Sequence, residues 1–163
     1  FILRPEFIRG ISKLQAFYLR YDILIFPRQL PAAIELIKQF PEQPFVLDHM
    51  AKPLIKAGTL MPWEAQIREL AQFENLTCKV SGMVTEADWE QWVPGDFRPY
   101  LDVVFEAFGE DRLMYGSDWP VCRLGGEYGR IYRLAEEYVS QFSAEAQAKF
   151  FGGVASAFYG LKG

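Results

Sequence analysis

Residues 44–53 read PFVLDHMAKP. The apolar run Phe45-Val46-Leu47 is too short for a globular helix and leaves no polar position for a solvent-facing side. That is the pattern of a strand covered on both faces, as in a parallel sheet. The run ends directly in Asp48 and His49, and His49 is the only histidine in the chain. Working outward, segments 6–11 (EFIRGI), 22–26 (DILIF), 76–82 (LTCKVSG) and 112–118 (RLMYGSD) share this character. With 44–49 they make five expected strands.

Helical periodicity fills the gaps between them. In 30–40 the residues Leu30, Ile34, Ile37 and Phe40 form one stripe behind Pro31, and in 63–73 Trp63, Ile67, Leu70 and Phe73 do the same. The stripe Phe97, Leu101, Val104 and Phe108 stops at Gly109, a helix end. Two further helices are expected at 127–142 and 143–160, the second capped by Ser143. Only 12–20 is too short for a full helix. Strands alternating with single helices specify βα units, hence one α/β unit with a parallel sheet.

Such a sheet is either open and doubly wound or the last part of a (β/α)8 barrel. Length favours the open sheet, since a barrel needs about 250 residues and this chain has 163. The strand ends favour the barrel. Arg9, then Arg28 and Gln29, then Asp48, His49 and Lys52, then Ser81, then Ser117, Asp118 and Trp119 follow the expected strands in turn. An open sheet gathers a site only where strand order reverses, whereas a closed barrel collects every carboxyl end at one mouth.

Composition narrows the function. Half of the residues are apolar, the formal charge is −4 and no basic run occurs, which argues against a nucleic-acid partner. No apolar stretch approaches the roughly 18 residues that cross a bilayer, and no signal-peptide layout opens the chain. Cys78 and Cys122 fit free thiols of a reducing compartment, so a cytoplasmic protein is expected. A homo-oligomer is compatible with the sequence.

His49 at a strand end suits metal ligation, carbonyl polarisation by a neutral ring, or proton uptake near neutrality, against the plainer alternative of a ring satisfied by a backbone carbonyl. Asp118, between Ser117 and Trp119-Pro120, suits a general base for an attacking water, or else a turn cap. Ser81 has no second histidine to activate it and lies outside a G-x-S-x-G elbow, so a serine nucleophile is not expected. The glycines at 125–129 and 152–153 lack dinucleotide-binding spacing.

Together, RGI at 9–11, FVLDHMAKP at 45–53, CKVSGM at 78–83 and LMYGSDWPVC at 113–122 resemble the amidohydrolase-related family of TIM-barrel hydrolases. The similarity is to the sugar-lactonase branch, with its L-fuconolactonases and L-rhamnonolactonases, and more distantly to 2-pyrone-4,6-dicarboxylate lactonases. The resemblance runs through essentially the whole chain in order. It implies that the five expected strands are the fourth to eighth of the barrel, with His49 and Asp118 on the sixth and eighth. The family's His-x-His pair at the end of the first strand is missing. With the start at Phe1 this leads to the expectation that about a hundred or more residues precede the chain, and that the site is incomplete, and the segment inactive, without them.

The implied chemistry is the opening of a small lactone, such as a sugar aldonolactone, by water. Asp118 would act as base and His49 as carbonyl activator. Arg9, Trp119, Gln29 and Lys52 would contact the substrate, and Asp22, at the opposite end of its strand, would be structural. The resemblance admits one divalent metal, zinc foremost, held in part by His49 and Asp118, or none. Two rivals remain: a metal-dependent decarboxylase on the same scaffold, and a small open-sheet binding domain.

Overall fold

The computed structural model describes residues 1–161. Its first element corrects the expectation for 6–11: helix α1 spans Pro5–Leu14 where a strand is expected. The wider window shows why. Pro5 sits in the first turn, where its missing N–H is no loss, Glu6 complements the helix N-terminus, and Phe7, Ile8, Ile11 and Leu14 recur at helical spacing against the core. The edge of Phe7 meets the Tyr21 ring at 5.6 Å.

Four strands follow: β1 (Tyr21–Ile23), β2 (Phe45–Leu47), β3 (Leu76–Val80) and β4 (Leu113–Tyr115). They form one parallel sheet in the order β1-β2-β3-β4. Each strand pairs with its predecessor in sequence, so the described residues contain no reversal of strand order. The intervening helices are α2 (Leu30–Gln39), α3 (Trp63–Leu70) and α4 (Arg98–Phe108), and α5 (Tyr128–Val139) follows β4. As expected, α4 gives way at Gly109, whose φ of +68° suits glycine.

Strand alternation divides the side chains between two faces. Phe45, Leu47, Leu76, Cys78, Val80 and Leu113 point to one, and form a single core with Leu30, Leu36 and Ile37 of α2, Ile67 and Leu70 of α3, and Leu101 and Val104 of α4. Each fully buried Leu or Ile contributes about 1.5–3 kcal/mol. On the other face Val46 and Met114 pack against Val154, Phe158 and Tyr159. These last residues belong to the C-terminal stretch, read above as a single helix. As expected it is helical throughout, α6 (Ala144–Ala148) running on through a π-helical turn (Lys149–Gly153) into α7 (Val154–Tyr159), and Ser143 Oγ caps α6 by accepting from Ala146 N at 3.1 Å.

The second face also carries charge. Asp22 and Thr77 lie in the row of Val46, and Lys79 beside Met114. Lys79 Nζ lies 2.6 Å from Asp22 Oδ2 and 2.8 Å from Asp48 Oδ1, while the Tyr159 hydroxyl donates to Asp22 at 2.8 Å. Burial opposes the ammonium form of Lys79, but hydrogen bonds to Asp22 and Asp48 outweigh it and raise the pKa above the ordinary lysine value. Asp22 thus ties the sheet to α7. Among the described residues no helix is long and apolar enough to cross a membrane.

Candidate active site

β2 ends at Leu47, and the chain then turns through four consecutive left-handed residues. His49, Met50, Ala51 and Lys52 have φ of 53°, 51°, 58° and 53°. None is glycine, and each left-handed residue costs roughly 1–2 kcal/mol, so the turn persists only because its surroundings over-determine it. Those surroundings are visible. Lys52 N donates to His49 O at 2.8 Å, the Trp63 indole of α3 donates to Met50 O at 2.7 Å, and Met50 and Ala51 are wholly buried. Strain of this kind, held by a packed core at the end of a strand, marks a place where side-chain direction matters.

The direction it sets is that of the His49 ring. Nδ1 lies 2.7 Å from Ser81 Oγ, just beyond β3, and Nε2 lies 3.7 Å from Asp118 Oδ1, three residues beyond β4. The His49 and Asp118 side chains are 18% and 15% exposed, enough to meet a ligand while largely withdrawn from water. Two glycines make the room. A Cβ on Gly82 would stand 2.8 Å from Nδ1, and one on Gly116 would stand 2.9 Å from the Ser81 Cβ. Asp118 is also left-handed, at φ 57°, and its carbonyl accepts from Cys122 N at 2.8 Å. At 3.7 Å the imidazole and carboxylate are too far apart for a hydrogen bond, and a third atom can touch both.

Imidazole nitrogen and carboxylate oxygen are both ordinary zinc donors, and their separation suits two corners of a tetrahedral ion with bonds of about 2.0–2.2 Å. They make half of such a set. Among the described residues no group of three or more His, Cys, Asp or Glu is placed to hold a metal.

The other expected contacts divide. Trp119 directly follows Asp118 and is 65% exposed. Lys52 is pinned by Glu86 at 3.0 Å and lies over the Phe26 ring at 5.6 Å. Gln29 Oε1 is occupied locally, accepting from Phe26 N at 2.9 Å to close the turn after β1. Arg9 is not at a strand end: it lies on α1, exposed, 3.6 Å from Glu6. Its expected place followed from the strand reading of 6–11 and falls with it. Sequence reasoning had set Ser81 aside as a nucleophile, and it stands here as the hydrogen-bond partner of His49. Glu86 carried no signal of its own, whereas Gly82, two residues past β3, and Gly116, directly after β4, were the available hint of close approach.

Comparison with known proteins supplies the remaining context. A family model described as amidohydrolase matches residues 4–161. An L-fucono-1,5-lactonase of Burkholderia multivorans is 39% identical over 171 residues, covering 99% of this chain and 58% of that protein. A crystal structure of an amidohydrolase from Burkholderia multivorans with bound zinc superposes with a TM-score of 0.92 at 40% identity, over 98% of this chain and 58% of its own. A probable 2-pyrone-4,6-dicarboxylic acid hydrolase from Acinetobacter baumannii, 18% identical with a TM-score of 0.78 over 99% of this chain and 60% of its own, shares the fold. The chain therefore spans a little over half the length of the relatives it matches. With the family match running almost from end to end, the chain belongs to the amidohydrolase family.

Proposed function

We propose that the chain is the C-terminal portion of an eight-stranded TIM barrel whose rim opens a small lactone, with a sugar aldonolactone as the substrate class. The observation that carries this is the convergence of His49 and Asp118, from alternate parallel strands, across a 3.7 Å gap, in a chain 39% identical to an L-fucono-1,5-lactonase. The strand order supports the barrel. Four strands laid down in sequence without reversal form no switch point, the feature on which an open-sheet site depends. They correspond to the last four of eight, which leaves His49 on the sixth and Asp118 on the eighth.

In the proposed reaction the lactone carbonyl sits beside His49 and a water lies against Asp118. The Asp118 carboxylate takes a proton as the water oxygen bonds to the acyl carbon, and an N–H at His49 Nε2 stabilises the negative charge arriving on the carbonyl oxygen. The acyl C–O bond of the ring then breaks, the ring oxygen receives the proton, and the hydroxy acid leaves. The electrophilic ester carbonyl makes this demand modest. A divalent ion such as zinc, bound by His49, Asp118 and ligands beyond this chain, would supply Lewis-acid activation of the carbonyl or the water. Trp119 offers an apolar sugar face a surface to stack on, and Lys52, held by Glu86, offers a cation for hydroxyls or the product carboxylate. We place this work in the cytoplasm.

The test is an aldonolactone panel on the full-length protein, followed by pH indicator, before and after treatment with chelator. Ring opening of one or more members is expected. Release of carbon dioxide from aromatic acids with no lactone opened would replace this reading with the decarboxylase.

A further inference from the structure

The His49 ring is held on its far side by Ser81, whose Oγ lies 2.7 Å from Nδ1. Ser81 is 3% exposed, and His49 Nδ1 is the one hydrogen-bond partner of its hydroxyl among the described residues. A hydroxyl buried in this way has a proton to place, and Nδ1 can accept it only when that nitrogen is unprotonated. The neutral ring then carries its proton on Nε2, and Nε2 is the nitrogen that faces the Asp118 carboxylate at 3.7 Å, where an N–H is favoured over a lone pair. Both ends of the ring ask for the same tautomer. The space around the bond is shaped to match, with Gly82 against Nδ1 and Gly116 against the Ser81 Cβ.

We propose that Ser81 is the positioning residue of this site: its O–H donates to His49 Nδ1, locks the ring plane, and presents an Nε2–H to the substrate oxygen. Ser81 forms no bond to substrate and acts only through His49. The assignment rests on the lactonase reading for its consequence in catalysis and on the geometry alone for the hydrogen bond. It also bears on metal binding. Ligation through Nε2 requires the opposite tautomer, with Nδ1–H donating to the Ser81 oxygen. A hydroxyl supports that arrangement too, by rotating, where a fixed donor or a fixed acceptor would support only one.

The experiment uses full-length protein labelled with 15N-histidine and treated with chelator, at a pH where the ring is neutral, with the His49 signals assigned by their loss in His49→Gln. The expected spectrum shows Nε2 protonated and Nδ1 unprotonated, with the Nδ1 resonance displaced by an accepted hydrogen bond. In Ser81→Ala that resonance moves to the value of an unbonded ring nitrogen. In the same variant kcat for lactone opening falls about 10–100-fold, the usual cost of losing such an outer partner, with KM within about three-fold and the thermal midpoint little changed. A wild-type spectrum with Nδ1 protonated overturns the proposal without any variant, as does an Nδ1 resonance unmoved by Ser81→Ala, or a kcat within three-fold of wild type in an active enzyme. A full-length protein that opens no lactone refutes the functional reading instead, and the ring spectrum still decides the role of Ser81.

Discussion

Gly82→Ala is the substitution whose effect is set most sharply by the geometry of the site. The added Cβ would lie 2.8 Å from His49 Nδ1 and 2.9 Å from its Cγ, where an ordinary contact begins at 3.4 Å. The ring must therefore retreat by about 0.6 Å, or the backbone of one of the two segments must move. Retreat stretches the 2.7 Å bond to Ser81 towards the limit of hydrogen bonding and alters the gap to Asp118. The backbone adds its own penalty, since Gly82 has φ +61° and alanine there costs roughly 1–2 kcal/mol. With about 1 kcal/mol for the weakened hydrogen bond, the protein should lose about 2–3 kcal/mol, read as a lower denaturant midpoint at unchanged slope. Misplacing a reacting group by about 1 Å can cost on the order of 100-fold in rate, so kcat/KM on the lactone should fall about 10–100-fold in protein that is still folded. A variant with wild-type kcat/KM, or a crystal structure of it with the His49 ring and the backbone of both segments unmoved, would refute the reasoning.

Three further outcomes follow from the surroundings of the site. Trp63→Phe keeps an aromatic ring but removes the indole donor to Met50 O and some buried volume, and should cost about 2–4 kcal/mol in urea unfolding together with part of the activity, because the left-handed turn loses an anchor. Lys79→Met leaves Asp22 and Asp48 facing each other without their shared cation. Breaking a buried pair costs about 3–5 kcal/mol, and this one retains some solvent contact, so about 2–3 kcal/mol is expected at neutral pH. Cys78 is fully buried and burial pushes its thiol well above the ordinary cysteine range. Mass spectrometry should find it unmodified by iodoacetamide at pH 8.5 in folded protein and modified after denaturation.

How far these features could be read in advance depended on the range of the forces behind them. β2 was legible because Phe45-Val46-Leu47 needs only local pattern and burial on both faces, and α4 because Gly109 ends it within its own segment. The segment 6–11 misled because six residues contain too little of a 3.6-residue period. Its stripe emerges only when Pro5 and Leu14 are included. The C-terminal stretch was legible as one helix, and nothing in KFFGG announces the π turn within it.

At the site, His49 and Asp118 were legible as polar groups ending apolar strands, and the structure brings them together. The left-handed run from His49 to Lys52 was not, because no glycine marks it and its support comes from Trp63, thirteen residues on, and from the buried seats of Met50 and Ala51. Ser81 was visible but invited the wrong question: the sequence lacked a base for it, whereas the structure sets its hydroxyl 2.7 Å from His49 Nδ1. Arg9 was misplaced for a simpler reason: the strand expected to carry it is a helix.

The most direct test of the central claim is Asp118→Asn in full-length protein, assayed on the lactone that the wild type opens fastest. The amide keeps the size of the carboxylate and cannot take the water's proton. General-base catalysis contributes about 100- to 10,000-fold, so kcat should drop by about 1,000-fold while the protein stays folded and KM changes little. A rate within a few-fold of wild type would contradict the account.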